Sequence, residues 1–300
     1  MLNQTATKIE NSYPRRPFLT AAPDLSRVVE LKNENRDEVL AFLNIRPVHT
    51  VVMTSFILDN GVESGLHRGK FFGYRDELGR LEGVALIGHT TLVEARSEDS
   101  LKAFAFTAKT SETPVHLIMS SGQEAEEFWS FFGDALHEPR LTCTELLFEV
   151  QFPFLVPECD QDIREATLGE LEQVAEAQAA IAFMESGVDP MERDREGFMS
   201  RVARRIEQGR VFVVVEDGKL IFKADIIAET AETVYLEGVY VAPDLRGQGV
   251  GSSCLAELTL DILKRVPNVC LLSNINFIDA HLSYLKAGFR NTDYCTTLFV

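Results

Sequence analysis

Val239-Tyr240-Val241-Ala242-Pro243-Asp244-Leu245-Arg246-Gly247-Gln248-Gly249-Val250-Gly251-Ser252-Ser253 runs from an apolar, β-type segment through a glycine-rich turn into a helix-forming stretch. Three glycines in five residues let the backbone turn with its N–H groups facing inward, and a helix starting there adds the positive end of its dipole. The stretch reads as a phosphate cradle that needs no lysine.

Spacing separates the phosphate loops that could stand here. A Gly-x-Gly-x-x-Gly fingerprint fails, because counting from Gly247 ends on Ser252 and counting from Gly249 ends on Cys254. A Walker loop needs Gly-Lys-Ser/Thr, and no lysine follows. Arg-x-x-Gly-x-Gly does fit, from Arg246 through Gly249 and Gly251, between a strand and a helix.

Around this stretch the chain has 300 residues, enough for two domains that each bury a core. A formal charge of −17 argues against nucleic acid or an anionic membrane as partner, so any phosphate must be held locally. Residues 1 to 18 carry no apolar signal core, and no later run approaches the roughly 18–20 apolar residues of a membrane span. The chain reads as cytoplasmic. Cys143, Cys159, Cys254, Cys270 and Cys295 are scattered, with no Cys-x-x-Cys pair, and read as reduced thiols with neither a disulfide framework nor a metal site.

Read in order, the pattern predicts a loose tail at 1–19, one domain over 20–157 and another over 158–300, with Pro157 to Asp162 as linker. The first holds a helix around Val39 to Leu43, a hairpin of Phe71–Tyr74 and Leu81–Ile87, and a strand Thr90–Ala95. A helix Ser100–Ala108, a strand Val115–Met119, a helix Gln123–Phe132 and a long strand Thr144–Phe154 complete it. The second opens on a short strand Ile163–Ala166 and a capping box of Thr167 and Glu170 leading a helix to about Phe183. A helix with Phe198, Val202 and Ile206 on one face follows, then a hairpin Val211–Val215 and Leu220–Ala228 through Asp217-Gly218. Strand Thr233–Val241, helix Ser252–Arg265, strand Val269–Ser273, helix Asp279–Ala287 and a last strand over Cys295–Val300 end the chain.

The halves repeat one another. Val115-His116-Leu117 matches Val269-Cys270-Leu271, and Ala125, Trp129 and Gly133 sit where Ala280, Tyr284 and Gly288 sit. Where the second half has its glycine loop, the first has Glu94-Ala95-Arg96-Ser97-Glu98-Asp99-Ser100, without glycine and with three carboxylates that would repel a phosphate.

At this point the chain resembles the GNAT superfamily of acyl-CoA-dependent N-acetyltransferases. Val239 to Gly251 is similar to that family's central motif, and Asn276 followed by Ala280, Tyr284, Gly288 and Phe289 is similar to its second, with the Tyr-x-x-x-Gly-Phe ending. The resemblance covers residues 163–300, with a degenerate version over 20–157, and implies an α/β (α+β) fold of two tandem domains, each a mixed, mostly antiparallel sheet flanked by helices. It implies acetyl-CoA as co-substrate, no metal and direct transfer to an amine, on a small molecule or a peptide. The amides of Arg246, Gly247, Gln248, Gly249, Val250, Gly251 and Ser252 would hold the pyrophosphate. The pantetheine would lie in a gap between Val239-Tyr240-Val241 and the next strand, near Asn276, which either contacts it or caps the following helix. A backbone N–H in Val239 to Val241 would polarise the acetyl carbonyl.

Tyr284 would protonate the leaving thiolate, a role the resemblance assigns. Glu237 is the candidate base; it shares a face with Val239 and Val241 if the strand is regular, and a bulge would reverse that parity. Phe183 and Glu185 would line the acceptor pocket, Glu185 attracting a cationic amine. His281 reads as a surface residue, and Cys254 and Cys270 as core. Two other functions stay open: a non-catalytic acyl-CoA-binding regulator, and an N-acyltransferase using a longer chain. Only Arg290 to Val300 follow the second motif, too few for a closing hairpin. One long final strand is expected, with the sheet edge covered by the other half through Leu146 to Phe154, or by a second chain in a homodimer.

Overall fold

The structure is a computed structural model describing residues 22–133 and 138–300, so the tail expected at 1–19 lies outside the described residues. The first half runs β1 (Val28–Glu30), α1 (Arg36–Leu43), α2 (Val51–Asn60), β2 (Gly69–Arg75), β3 (Leu81–Gly88), β4 (Thr90–Ala95), α3 (Glu98–Lys109), β5 (Leu117–Ser121), α4 (Glu124–Phe132) and β6 (Leu141–Val150). The second half repeats the succession with β7 (Arg164–Glu165), α5 (Leu171–Ser186), α6 (Pro190–Glu207), β8 (Val211–Glu216), β9 (Lys219–Glu229), β10 (Thr233–Val241), α7 (Val250–Ile262), β11 (Asn268–Asn274), α8 (Ile278–Lys286) and β12 (Arg290–Phe299).

Local chemistry accounts for the second half's opening. Thr167 and Glu170 form the expected capping box, with the Thr167 N–H donating to Glu170 at 2.7 Å. Arg164 donates to the other oxygen of Glu170 at 2.9 Å and holds that carboxyl down to about 2. Asp189 caps α6 by accepting the Met191 N–H at 2.8 Å, Pro190 takes the first helical position, and Phe198, Val202 and Ile206 are buried along one face. Asp217 and Gly218 have φ of 48° and 76°, the two left-handed residues that a tight β8–β9 turn requires.

Three expectations need correction. The helix α2 has no counterpart in the sequence reading, because it is apolar nearly all round: it packs on α1 on one side and on β9 and β10 on the other, so no one-sided stripe marks it. Strand β5 starts at Leu117, since the His116 and Leu117 N–H groups both turn back to the His89 carbonyl. Strand β6 begins earlier than expected and stops at Val150, leaving Phe152 and Phe154 outside it and exposed.

All twelve strands form one sheet in the order β1-β2-β3-β4-β5-β12-β6-β11-β10-β9-β8-β7. The order is palindromic: from either end, five strands of one half are followed by the last strand of the other. The long final strand expected from Arg290 is present, and the other half does cover the open edge. Strand β6 pairs antiparallel with β11 from Val269↔Val150 to Asn274↔Glu145, while β12 pairs with β5 from Cys295↔Ser121 to Phe299↔Leu117. Between these, β6 and β12 pair from Arg290↔Glu149 to Phe299↔Leu141.

The cores are exchanged with the strands. Phe148 and Val150 of β6 lie in the core under α7 and α8, and Leu298 of β12 lies in the core under α3 and α4. The Phe148 ring is 5.5 Å from that of Tyr284 and 5.3 Å from that of His281. Truncating such an aromatic removes its transfer free energy and leaves a cavity, so Phe148→Ala is expected to lower stability by about 3–5 kcal/mol in urea unfolding. A loss below about 1 kcal/mol would show that β6 is not part of the second half's core. Among the described residues no helix is long and apolar enough to cross a membrane.

Candidate active site

The glycine-rich stretch folds as a cradle at the start of α7. Gly247 and Gly249 have φ of 75° and 93°, and a Cβ on either would meet no protein atom within 4 Å, so the hollow they border is open. Gly249 is the N-cap of α7 and brings no side chain to cap it. Among the described residues none of the N–H groups of Gly247, Gln248, Gly249, Val250, Gly251 and Ser252 donates to a backbone carbonyl, so they stay available to an anion. Side chains tie the turn from behind: Arg246 donates to the Val241 carbonyl at 3.1 Å, Gln248 to that of Asp244 at 2.8 Å and Ser252 to that of Gly249 at 2.8 Å. A Cβ on Gly251 would stand 2.9 Å from Val241 Cγ2, so its absence sets how closely α7 approaches β10.

Strands β10 and β11 pair in parallel from Thr233↔Asn268 to Leu236↔Leu271 and then part. Beyond that point Tyr240 and Val241 keep β9 on one side, opposite Lys223 and Phe222, and face a gap on the other. A bulge lies between Glu237 and Tyr240, with Gly238 at φ 63°. It reverses the parity: Val239 and Val241 pack on the α7 core, Tyr240 packs on the α5–α6 core, and Glu237 turns away from Val239 and Val241. The regular-strand expectation for Glu237 is thereby corrected.

Lys223 holds the bulge. Fully buried, its Nζ donates to the Gly238 carbonyl at 3.0 Å and to Gln178 Oε1 at 2.7 Å, and pairs with Asp225 at 2.8 Å. Burial pulls the Lys223 ammonium below its usual range while Asp225 opposes the shift. Asp225 also accepts from Arg205 at 2.8 Å. Sequence reading missed this role, although a lysine and an aspartate inside the apolar run Leu220 to Ala228 were the signal for it.

Three carboxylates, Glu237, Glu185 and Glu145, lie within electrostatic reach of one another. Burial pushes Glu237 up, with Asp225 adding to the shift and Arg205 and Lys223 opposing it. Glu185, at the last turn of α5, is exposed, while protein crowds its carboxyl end. Desolvation, together with Glu237 and Glu145, pushes its carboxyl up to about 8. Glu145 of β6 is also raised by burial and by Glu237, while Thr297 donates to it at 2.6 Å. Glu145 was not anticipated, because it belongs to the first half and arrives only through the exchanged strand. Phe183 stands two residues before Glu185 and is exposed.

Tyr284 of α8 is buried, and desolvation pushes its phenol up to about 12, with the Ser273 hydroxyl acting the other way. His281, expected at the surface, is buried: its Nε2 lies 3.0 Å from the Asn274 carbonyl, which fixes it as a structural residue. Asn276 is exposed in the turn after β11, and its N–H donates to Asn274 Oδ1 at 3.0 Å. It does not cap α8, whose N-cap is Phe277. Cys254 and Cys270 are buried as expected; burial pushes Cys254 up to about 12 and raises Cys270 well above an ordinary thiol, which leaves both poor nucleophiles.

The first half has the same strand divergence, and it is filled. Strands β4 and β5 pair only from Thr90↔Leu117 to Leu92↔Met119. Beyond, the Arg46 guanidinium bridges them, 3.1 Å from buried Glu94 and 3.1 Å from Ser121 Oγ. Ser97 caps α3 with its own side chain, accepting the Ser100 N–H at 3.2 Å, so that helix start keeps no cradle.

Residues 207–291 match the family model described as an acetyltransferase (GNAT) domain. No curated protein matches the chain. Among solved structures, a Drosophila protein aligns with TM-score 0.66 at 9% identity, covering 91% of this chain and 98% of its own. A GNAT-family acetyltransferase from Colwellia psychrerythraea aligns with TM-score 0.58 at 15% identity, over 91% and 99%. A tandem GNAT protein from the clavulanic acid biosynthesis pathway aligns with TM-score 0.53 at 12% identity, over 91% and 97%. The shared property is the fold, and it extends over both halves.

Proposed function

We propose that this chain, whose residues 207–291 are a GNAT acetyltransferase domain, is an acetyl-CoA-dependent N-acetyltransferase acting on an amine. The observation that carries the reading is the gap that opens between β10 and β11 after Leu236 and Leu271, directly beside the bare amides of Gly247 to Ser252. Acetyl-CoA, as co-substrate, brings an acyl thioester and a thiolate leaving group. The amides of Gly247 to Ser252 and the dipole of α7 hold its pyrophosphate, with Arg246 at the rim. The unpaired edge of Val239, Tyr240 and Val241 bonds the pantetheine arm, Asn276 flanks it, and an N–H of that edge polarises the acetyl carbonyl.

An amine attacks only as the free base, so one proton has to leave its nitrogen. Glu237, half-buried on the strand face opposite Val239 and Val241, receives it. Tyr284, with its phenol held at about 12, is protonated at neutral pH and delivers its proton to the thiolate sulfur. We place one acyl-CoA in each chain, within residues 158–300, because Arg46 and Ser97 occupy the corresponding places in residues 20–157.

Tyr284→Phe is expected to lower kcat by about 100-fold while acetyl-CoA affinity stays within about twofold. Thiol release monitored across an amine panel, with calorimetry of acetyl-CoA binding alongside, checks this. Tight binding with no thiol released by any amine would replace the enzyme reading with a regulatory one.

A further inference from the structure

We infer that two copies of this chain associate through α8, the two helices lying antiparallel about a twofold axis near Leu282. Ile278, Leu282 and Leu285 recur along one side of α8, and with Ile275 in the turn before it they are 45–60% exposed. Helical spacing puts this stripe on the side away from Ala280 and Ala287, which pack into the core shared with α7, so it is turned from the cradle. The apolar ribbon continues past the end of the helix. Phe152, Phe154 and Leu155, in the segment after β6, are 79–88% exposed. That segment is seated on the end of α8: Pro153 and Val156 lie 2.9 and 3.1 Å from where a Cβ on Gly288 would stand. Leu155 holds φ of 54°, a conformation that leucine rarely adopts.

The internal repeat supplies a control. With Ala125, Trp129 and Gly133 standing for Ala280, Tyr284 and Gly288, the counterparts of Ile278, Leu282 and Leu285 on α4 are Gln123, Glu127 and Ser130. The same place in the fold is therefore polar in one half and apolar in the other. At ordinary side-chain areas the exposed residues of α8 and of the segment after β6 present about 800 Å² of apolar surface. The largest patch on a typical monomer is about 300–600 Å², whereas about 800 Å² is what each partner gives to a stable interface.

The occupant that fits is the chain itself. An antiparallel pair seats Leu282 on its own counterpart and Ile278 on the partner's Leu285. The segment at the end of one α8 then lies beside the start of the other, where Phe152 and Phe154 cover the partner's Ile275. Asp279 and Lys286 stand on one flank of the stripe, both exposed and without an ion pair among the described residues. The twofold brings each Asp279 to the partner's Lys286, so the flanks complement one another in charge. Each copy carries −17, but at about 0.15 M salt that repulsion is screened beyond about 8 Å and the centre of the contact is uncharged.

Light scattering on the full-length protein, at about 50 μM and about 0.15 M salt, is expected to give twice the chain mass. Leu282→Glu, which sets two carboxylates against each other at the centre, should weaken the dimer by at least about 100-fold with an unchanged circular dichroism spectrum. Asp279→Lys alone should weaken it by about tenfold, and combining Asp279→Lys with Lys286→Asp should restore it. A monomeric wild type overturns the inference and leaves the surface to a different partner. A dimer that persists in Leu282→Glu is built elsewhere and overturns it as well. A dimer lost in Leu282→Glu, yet not restored by the double charge swap, overturns the antiparallel arrangement.

Discussion

A chain cut to residues 158–300 is expected to lose cooperative folding and all acetyl-CoA binding. In the intact chain β11 is hydrogen-bonded on one edge to β10 and on the other to β6, through six paired residues. The cut removes β6 and leaves that edge open over Val269 to Asn274, a template for aggregation. It also strips Phe148 and Val150 from the core under α7 and α8, and deprives β12 of both its neighbours. Loss of the Phe148 side chain alone costs about 3–5 kcal/mol, already a large part of the about 5–15 kcal/mol by which a domain is stable. Circular dichroism melting and size-exclusion chromatography of the fragment check this, and co-expression with residues 20–157 should restore a cooperative melt. A soluble, monomeric fragment that melts cooperatively and binds acetyl-CoA would show that the strand exchange is dispensable.

Replacing Gly249 and Gly251 together by valine should abolish acetyl-CoA binding, a loss of at least about 100-fold, while the protein remains folded. Gly249 sits at φ 93°, which a β-branched residue adopts only with strain of about 1–3 kcal/mol. The space its new side chain enters is empty of protein atoms, so the added methyls intrude on the anion hollow rather than on the core. At Gly251 the new Cβ falls 2.9 Å from Val241 Cγ2 and pushes the start of α7 from β10, spreading the amides proposed to hold the pyrophosphate. Isothermal calorimetry of the double variant beside a thermal melt measures both effects. Full acetyl-CoA affinity in a folded double variant would mean that the loop has another purpose.

Sequence alone carried the strand and helix succession well, because most elements advertise one buried face or a specific turn. The hairpin at Asp217-Gly218, the capping box at Thr167 and the cradle from Gly247 are local chemistry and are readable locally. What was hidden is what depends on distant partners. Helix α2 shows no stripe because β9 and β10 of the other half cover the side that would have been polar. Glu145 entered no candidate site because it is far from Glu237 in sequence and meets it only through the exchange of β6. His281 was misplaced for the same reason: Phe148, which buries its ring, also comes from β6. The orientation of Glu237 turned on the bulge at Gly238, held by Lys223 from the neighbouring strand.

The palindromic strand order separates inheritance of a scaffold from inheritance of an activity. The segment from Glu94 to Ser100 has given up every feature of a cradle, and Arg46 has sealed the gap beside it, without disturbing a single strand position. The strand between β12 and β11 enjoys no such freedom: β6 supplies an edge, a core ring and a carboxylate to the opposite half. Substitutions can therefore accumulate in the first half's loops, whereas β6 is under the constraints of two halves at once, and the half that has lost its own cradle cannot be shed.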